Sequence, residues 1–320
     1  MTEYSLPVRY AIVDVGALQT LIATLYGWTN VRCQLIKGTM RDVYEVWSDQ
    51  QHAILCLYRS EERTHSEIDA ELTVMQYLHH QGLSIPLPVT LRDGERLFLL
   101  RQPEGMRHGA MITFMAGKPI GRQFDSAVGS QIGRALAVMH RALNTLTGAM
   151  DRPVLDFSTA LTSALTAFAY AAPHRSDDLL RLHSMGETLL RRLTLNQNNA
   201  AYGLMHGDII PSNILQNGDR LVLLDFDLCA YGWQVYDVAS MLVEIAYWGM
   251  DAAVAEAVLH GYNAECAFTD AERAMLPTLQ GIRGILSLGT PARHIDTWGR
   301  GYFSDTIIDK QLALIEQVMS

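Results

Sequence analysis

Residues 204–227 read LMHGDIIPSNILQNGDRLVLLDFD. Asp208 is followed five positions later by Asn213, and a short apolar strand, Leu221–Leu224, leads to Asp225. Phosphoryl-transfer enzymes use this order, because they need a carboxylate to orient the acceptor hydroxyl and oxygen ligands to hold Mg²⁺ on the phosphates. We therefore predict Asp208 as the catalytic carboxylate, with Asn213 and Asp225 as metal ligands. The alternative is that these three side chains serve only turns and caps.

Three further polar residues around this stretch have structural interpretations. We expect His206 to brace the catalytic loop by hydrogen bonds rather than to transfer a proton. Asp227 is expected to be a carboxylate of the turn rather than a metal ligand. Asp237 begins a helix, which favours a capping or loop-bracing role over catalysis.

Composition and charge exclude several classes of protein. The chain has 320 residues, of which 49% are hydrophobic and 18% are charged, so it is a globular protein with room for two domains. The net charge is −9, and residues 201–320 carry 6 basic and 15 acidic side chains. Because no basic surface is indicated, a nucleic-acid partner is not expected. Only three of the 25 basic residues are lysines.

The cysteines and the apolar segments indicate a compartment. The four cysteines are far apart and form no CxxC pair, which is typical of thiols in a reducing environment. The N-terminus has no basic region followed by an apolar run, and no stretch of about 18 apolar residues occurs. We therefore expect a soluble cytoplasmic protein without a membrane partner.

The first third of the chain is predicted to be rich in β-structure. Asp14 is a plausible N-cap for a helix over 15–26, which Gly27 closes. Apolar residues with helical spacing predict a second helix over 66–81. Short segments rich in β-formers predict five strands at 31–37, 43–47, 53–58, 97–100 and 110–115.

The remainder is predicted to be mainly helical, apart from the strand-like segment 204–224. Apolar periodicity predicts helices over 124–144, 157–171, 177–194, 235–248, 251–263, 270–288 and 304–319. The predicted fold class is α+β, with a small antiparallel β-sheet lobe (residues 1–115) and a larger helical lobe (residues 116–320), joined near Met115–Lys118.

The motif His-Gly-Asp-x-x-x-x-Asn followed by Asp-Phe-Asp resembles the aminoglycoside phosphotransferase and choline kinase family, which has the protein-kinase-like two-lobe fold. The segment Lys37–Tyr44 is similar to that family's nucleotide-covering loop, Tyr58–Arg63 begins a similar strand-to-helix passage, and Gly232–Ala239 resembles the stretch after the metal-binding Asp. The resemblance covers about residues 10–265, and it is closest to homoserine kinase-like and stress-response Ser/Thr kinase-like bacterial members. It implies ATP and Mg²⁺ as cofactors.

The resemblance also implies a cation that this chain lacks. The third strand of the family carries a Lys or Arg that reaches the nucleotide phosphates and pairs with a Glu on the next helix. Cys56 occupies that position here, whereas the helix offers Glu71 or Glu67, of which we favour Glu71. Asp42 is a second departure, because related chains commonly have Asn there. A buried Glu without a cation would be costly.

Three basic residues are candidates to replace the missing cation. Lys37, just before the loop that begins with Gly38, is the first choice, and Arg41 and Arg59 are the alternatives. The period of two in a strand puts Arg59 on the opposite face from Cys56. Lys37 is alternatively a solvated charge at a strand end.

The adenine and acceptor sites are less well indicated. Thr113 and Met115 lie where the resemblance implies a hinge whose backbone binds adenine. Aromatic residues after Asp-Phe-Asp line either an acceptor pocket or the core: Tyr231, Trp233 and Tyr236. Basic groups near the C-terminus either bind an anionic group of the acceptor or are solvated: Arg283, Arg293 and His294.

The predicted function is an ATP- and Mg²⁺-dependent kinase of a hydroxyl group on a small molecule, such as an amino acid, an amino alcohol or an aminoglycoside-like compound. The acidic second lobe suits a cationic acceptor. There are two alternatives. One is a protein Ser/Thr kinase of the same fold, and the other is a catalytically weak nucleotide-binding module, because the strand lysine position is Cys56. The sequence does not distinguish ATP from GTP and does not determine the oligomeric state.

Overall fold

A computed structural model describes residues 6–196 and 200–320. The chain forms two compact units. The first contains the residues up to Ala116 together with Gly148–Asp151, and the second contains Gly117–Thr147 and Arg152–Ser320. Strands dominate the first unit and helices dominate the second, so the predicted α+β class is confirmed.

The first unit is built on one antiparallel sheet. Its helices and strands are α1 (Val15–Tyr26), β1 (Arg32–Gly38), β2 (Arg41–Trp47), β3 (His52–Tyr58), α2 (His65–His80), β4 (Pro88–Val89), β5 (Leu97–Gln102) and β6 (Gly105–Thr113). The strand order is β1-β2-β3-β6-β4, and β5 also pairs with β6. The five predicted strands and both helices are present. The sequence missed β4, because two residues that begin with Pro carry no alternating pattern.

Helix α1 has the ends that the sequence predicts. The carboxylate of Asp14 accepts a hydrogen bond from the backbone N–H of Ala17 at 2.8 Å, and Gly27 ends the helix with φ of 70°. Glycine adopts this left-handed conformation without a steric penalty. Leu18 and Ile22 of α1 are fully buried against the sheet.

The alternation along β2 and β3 gives the sheet two different faces. Tyr44 of β2 lies in the core that α1 covers. Directly paired residues project from the same face, whereas successive residues of one strand alternate. The pairs Arg41–Tyr58 and Val43–Cys56 therefore share the face opposite to Tyr44.

The second unit combines helices with two small sheets. Its elements are β7 (Lys118–Pro119), α3 (Ser126–Leu143), α4 (Phe157–Ala171), α5 (Ser176–Asn196), β8 (Tyr202–Met205), β9 (Ile214–Asn217), β10 (Arg220–Leu223), β11 (Ala230–Trp233), α6 (Val235–Tyr247), α7 (Ala252–Glu265), α8 (Asp270–Arg293), α9 (Ile295–Trp298) and α10 (Asp305–Met319). Strands β10, β9 and β7 form one sheet, and β11 pairs with β8 in the other. The seven predicted helices are present. The short elements β7, β11 and α9 were not predicted.

Helix α6 lies in the core of the second unit and packs against α8. Every residue from Val235 to Ile245 is buried except Glu244, which is half-buried. An apolar helix of this kind is held by burial, so each polar side chain on it needs a partner.

Helices α3 and α7 pack closely through glycines. A Cβ atom added to Gly133 would lie 2.0 Å from the carbonyl oxygen of Val258, and one added to Gly261 would lie 2.2 Å from that of Ser130. Side chains at these positions would push the helices apart.

In the part of the chain that the structure describes, no helix combines the length and hydropathy that a membrane span requires.

Candidate active site

The segment between β8 and β9 begins with a backbone conformation that requires glycine. Gly207 has φ of 81°. A Cβ atom there would lie 2.2 Å from the carbonyl oxygen of Leu228. An L-residue at this position would be both strained and obstructed. Glycine allows the chain to pass close to Leu228, directly after the Asp-Phe-Asp segment, before it reaches Asp208.

A buried carboxylate on α6 holds the start of this loop. Asp237 accepts hydrogen bonds from the backbone N–H groups of His206 and Gly207, each at 2.8 Å, and its Oδ2 lies 2.9 Å from Nε2 of His140. Burial by itself raises the pKa of Asp237. The hydrogen bond and charge of His140, together with His206, outweigh burial and hold that pKa below its ordinary value. Asp237 therefore has the predicted loop-bracing role.

His206 also braces the loop, as predicted. Its Nδ1 accepts a hydrogen bond from the backbone N–H of Asp208 at 3.3 Å, and its Nε2 lies 2.9 Å from the carbonyl oxygen of Leu224. These partners assign the neutral tautomer with the proton on Nε2. Both ring nitrogens are thus engaged by the backbone, so neither is available to transfer a proton.

The loop brings Asp208 and Asn213 together across a short 3₁₀ turn. Nδ2 of Asn213 donates to the carbonyl oxygen of Asp208 at 3.0 Å and to its Oδ2 at 3.2 Å. The backbone N–H of Leu224 donates to the carbonyl oxygen of Asn213 at 2.9 Å, which links this turn to the end of β10. The spacing of five residues therefore forms one hydrogen-bonded unit.

Asp225 follows β10 in a strained conformation. Its φ and ψ are both 66°, in the left-handed region that non-glycine residues avoid at a cost of about 1–3 kcal/mol. Arg152, which is buried, stabilises the segment that follows: its Nε donates to the carbonyl oxygen of Cys229 at 2.7 Å, and its Nη2 donates to that of Asp227. Strain of this kind commonly serves a functional side chain.

The residues present fit a magnesium ion held by few protein ligands. Among the described residues, no cluster of three or more His, Cys, Asp and Glu side chains has the arrangement of a metal site. Mg²⁺, however, is usually bound by one or two protein oxygens together with substrate phosphates. The carboxylate of Asp225 is a hard ligand of this type. Asn213 donates through its nitrogen to Asp208, so its amide oxygen is the atom available as a second ligand.

A guanidinium from α8 contacts the predicted catalytic carboxylate. Nη2 of Arg283 donates to Oδ1 of Asp208 at 2.8 Å, and Nε of Arg283 is buried without a hydrogen-bond partner. Burial by itself lowers the pKa of this guanidinium. The neighbouring Tyr236, Asp208 and Glu244 outweigh burial and raise that pKa above its ordinary value. Arg283 thus stays charged beside Asp208.

The other acceptor candidates lie elsewhere in the second unit. Arg293 donates to the hydroxyl of Ser163 at 2.8 Å, and the ring of His294 stacks on Trp298 at 4.8 Å. Trp233 stacks on the ring of Phe157 at 5.9 Å. Of the residues in the two groups that the sequence singled out, Arg283 contacts Asp208, and Tyr236 is a neighbour of Arg283.

Glu244 is a charged residue near Asp208 that the sequence analysis missed. Burial raises the pKa of Glu244 above its ordinary value, and the charge of Asp208 raises it further against the opposing effect of Arg283. Nε1 of Trp248 donates to Oε2 of Glu244 at 3.1 Å. The available signal was the spacing of seven residues from Asp237, which puts both carboxylates on one face of α6.

In the first unit, Arg41 pairs with the carboxylate of α2. Nη1 of Arg41 lies 3.2 Å from Oε1 of Glu71, and the two side chains are 11% and 3% exposed. The hydroxyl of Tyr58 accepts from the same nitrogen at 3.1 Å and donates to Oε2 of Glu71 at 3.0 Å. Glu71 therefore has a cation although position 56 is Cys. Glu67 has a different role, in the capping box of α2 with Thr64.

Asp42 is neutralised by structural partners. It is fully buried, and its Oδ2 accepts a hydrogen bond from Nη2 of Arg107 at 2.8 Å. Nη2 of Arg59 lies 3.1 Å from Oδ1 of Asp42 and donates to the carbonyl oxygen of Thr39 at 3.1 Å. Arg59 thus lies on the face opposite to Cys56, as the strand period predicts, and supports the loop between β1 and β2.

The other predicted nucleotide-binding residues lie at the ends of strands. Lys37 is exposed, and an irregularity in β1 after Leu35 pairs it with Val43, so it shares the face of Cys56. Gly38 pairs with Asp42 at the end of β1. At the end of β6, Thr113 exchanges hydrogen bonds with Leu87: its N–H donates at 2.8 Å and its hydroxyl accepts at 2.9 Å. Met115 follows β6 and is half-buried.

A model of the phosphotransferase enzyme family matches residues 32–276, which is more than half of the chain. The chain belongs to the phosphotransferase enzyme family. The predicted class of enzyme, a kinase-type phosphotransferase, is confirmed.

This phosphotransferase is similar to named kinases in sequence and in fold. A homoserine kinase of Gluconobacter oxydans is 31% identical over 254 residues, which cover 71% of this chain and 73% of the relative. The structure of a microcompartment-associated aminopropanol kinase superposes with a TM-score of 0.79 at 22% identity over 95% of both chains. An amicoumacin kinase in complex with AMP-PNP, Ca²⁺ and its ligand has a TM-score of 0.75 at 17% identity, over 96% of this chain and 93% of that one. The two structural likenesses confirm the predicted protein-kinase-like fold.

Proposed function

We propose that this phosphotransferase transfers the γ-phosphoryl group of ATP to a hydroxyl group of a small molecule and that it requires Mg²⁺. The observation that carries the proposal is the hydrogen-bonded unit of Asp208 and Asn213 on a loop that the buried Asp237 holds. A carboxylate held in this way can accept a proton without having to reorganise.

The proposed step balances as a single displacement. The acceptor oxygen forms a bond to the γ-phosphorus, the bond from that phosphorus to the β,γ-bridging oxygen breaks, and ADP leaves. The hydroxyl proton passes to Asp208. Asn213 and Asp225 would hold Mg²⁺, which when bound neutralises charge on the phosphates. Arg283 supports the step by holding one carboxylate oxygen, Oδ1, of Asp208 at 2.8 Å.

We assign the nucleotide to residues of the first unit. Lys37 and Gly38 border the loop that would cover the phosphates, and Arg41 with Glu71 forms the charged pair behind it. The N–H groups of Thr113 and Phe114 already donate to Leu87 and His52. The adenine-binding role that we predicted for Thr113 and Met115 therefore rests mainly on Met115.

A cationic acceptor is favoured by the charge near Asp208. The pKa of Glu244 is raised because burial disfavours the charged carboxylate and the neighbouring donors and cations do not fully offset burial. An ammonium group beside Glu244 would offset this remaining cost of burying the charge. The named relatives agree with this chemistry, since homoserine and aminopropanol each carry an amine and a hydroxyl group. We therefore propose a small amine-bearing alcohol as the acceptor.

The experiment measures ADP release with purified protein, ATP and MgCl₂. The acceptors are homoserine, 1-amino-2-propanol, ethanolamine and, as an amine-free control, 1,2-propanediol. We expect turnover with at least one amine, loss of turnover on chelation of the metal, and a decrease of kcat by about 10²–10⁴-fold in Asp208→Asn. The matched control is Asp219→Asn, the same change on an exposed turn.

Three outcomes would contradict the proposal. Unchanged turnover in Asp208→Asn would exclude the catalytic role of that carboxylate. Phosphate incorporation into a protein substrate, with no turnover of any small acceptor, would instead support the protein-kinase alternative. Absence of stabilisation by ATP with or without MgCl₂ would favour a non-enzymatic module.

A further inference from the structure

We propose that the phosphate-binding cation of this protein is Arg41 on β2, which acts from a strand next to the one that carries Cys56. The inference rests on the proposed use of ATP and names the residue that contacts the phosphates. Kinases generally use a Lys on the third strand, paired with a Glu on the following helix, for this purpose. Here the Glu is retained, whereas the cation comes from a different strand.

The strand register puts the side chain of Arg41 within reach of the space that a basic side chain at position 56 would fill. Arg41 is paired with Tyr58, and Cys56 is paired with Val43, so the four side chains share one face of the sheet. Arg41 and Cys56 are diagonal neighbours across the two strands, with Cα atoms about 7–8 Å apart. The guanidinium of a long side chain on β2 can therefore reach the position that a basic side chain at residue 56 of β3 would otherwise occupy.

Two buried groups position the guanidinium. Glu71 accepts from Nη1 of Arg41 at 3.2 Å, and the Tyr58 hydroxyl bridges the two side chains with contacts of 3.1 and 3.0 Å. The guanidinium also lies over the Tyr58 ring, 5.3 Å from its centroid. A guanidinium has five N–H donors in a rigid plane, so it can hold a carboxylate and a phosphate at the same time.

The other basic residues near this face are less suited to the role. Arg59 and Arg107 are both within 3.1 Å of the buried Asp42, on the opposite side of the sheet. Lys37 shares the face of Arg41 but is exposed at the end of β1. Of the two cations compared on this face, Arg41 is the one that buried partners hold in position, which is what a preorganised phosphate site requires.

The experiment compares ATP with adenosine, a probe that has no phosphate. In Arg41→Met we expect the affinity for ATP, measured by titration calorimetry, to fall about ten- to a hundredfold, since a charge-assisted hydrogen bond is lost. The affinity for adenosine should not change. Lys37→Met is the matched control, and it should reduce the ATP affinity much less.

A transfer of the cation tests the geometry directly. In Arg41→Met/Cys56→Lys, the cation returns on β3 beside Glu71, and we expect at least a tenfold recovery of ATP affinity over Arg41→Met. If Arg41→Met does not fold, the double variant Arg41→Gln/Glu71→Gln removes both charges of the pair and is compared with wild type in the same way.

The outcomes separate this inference from the proposed function. Wild-type protein that binds no ATP would overturn the proposed function. Wild-type protein that binds and uses ATP, with an ATP affinity unaffected by loss of Arg41, would overturn only the role of Arg41. Equal losses of ATP and adenosine affinity would likewise contradict it, because they indicate a purely structural role, and a larger effect of Lys37→Met would assign the phosphates to Lys37.

Discussion

Replacing Asp237 with Asn removes one charge from the buried group that holds the loop between β8 and β9 and leaves Asp208, Asn213 and Asp225 unaltered. The carboxylate of Asp237 has three partners at 2.8–2.9 Å: the backbone N–H groups of His206 and Gly207, and the ring of His140. The N–H of Gly207 donates to Oδ1 of Asp237 and the N–H of His206 donates to Oδ2. In Asn one of these two positions is an NH₂ group, so one of the two backbone donors loses its acceptor.

The magnitude follows from the groups that lose a partner. One buried backbone N–H is left unpaired, which costs about 1–3 kcal/mol, and the charged contact with His140 is lost as well. We therefore expect the unfolding free energy to fall by about 1–3 kcal/mol, the cost of the unpaired backbone N–H. At a urea dependence of about 3 kcal/mol/M, the urea concentration at the unfolding midpoint would fall by about 0.3–1 M.

The assay is urea unfolding followed by tryptophan fluorescence, with Asp219→Asn as the exposed control. In parallel, kcat for the best acceptor should fall by about a hundredfold, because displacing a catalytic group by about 1 Å costs that much. A loss of less than about 1 kcal/mol together with wild-type kcat would refute the bracing role of Asp237.

The pH dependence has a definite sign. Because the folded protein holds the pKa of Asp237 below its ordinary value, this carboxylate stabilises the fold above its unfolded pKa of about 3.9. That contribution disappears as the pH falls through the lower, folded pKa. We therefore expect the difference in stability between wild type and Asp237→Asn to be largest at neutral pH and to shrink below about pH 4. A difference that grows on acidification would contradict this assignment.

Two further predictions concern the acceptor and the packing of the helices. Glu244→Gln should raise KM for an amine-bearing acceptor by about tenfold, because a charge-assisted contact with the ammonium is lost, while KM for ATP stays unchanged. Steady-state kinetics with both substrates measures the two constants, and an equal rise of KM for ATP would contradict the role of Glu244. Gly133→Ala should destabilise the protein by about 1–3 kcal/mol or more, since the added Cβ would lie 2.0 Å from the carbonyl oxygen of Val258. Gly186→Ala is the control variant in urea unfolding, because the nearest side-chain atom to an added Cβ there is 3.8 Å away. The unfolding free energy of this control should rise by about 0.5–1 kcal/mol. Equal destabilisation of both variants would contradict the packing argument.

Local signals in the sequence predicted most of the elements well. Helix α1 has the predicted bounds because Asp14 and Gly27 are adjacent in sequence to the backbone groups that they satisfy. The long helices were recognised by their apolar periodicity, which burial of one face requires. Four elements of two to four residues (β4, β7, β11 and α9) were missed, because so few residues carry little of a repeating pattern.

Residues that act through distant partners were harder to predict. Arg152 stabilises the segment after Asp225 by contacts with residues more than seventy positions away, and nothing in its neighbourhood in the sequence indicates this role. Glu244 was overlooked in the same way, although its spacing from Asp237 was visible. Lys37 was favoured over Arg41 because it precedes the loop, whereas the contact with Glu71 depends on strand register.

The sequence by itself determined the arrangement of the loop between β8 and β9, because Asp208, Asn213 and the turn at Gly207 lie within seven residues and are brought together by local backbone geometry. Tertiary structure decided the charge pairs. Arg41 meets Glu71 across thirty positions and Arg283 meets Asp208 across seventy-five. A long cationic side chain can pair with any carboxylate within its reach, and only the register of strands and the packing of helices select which carboxylate that is.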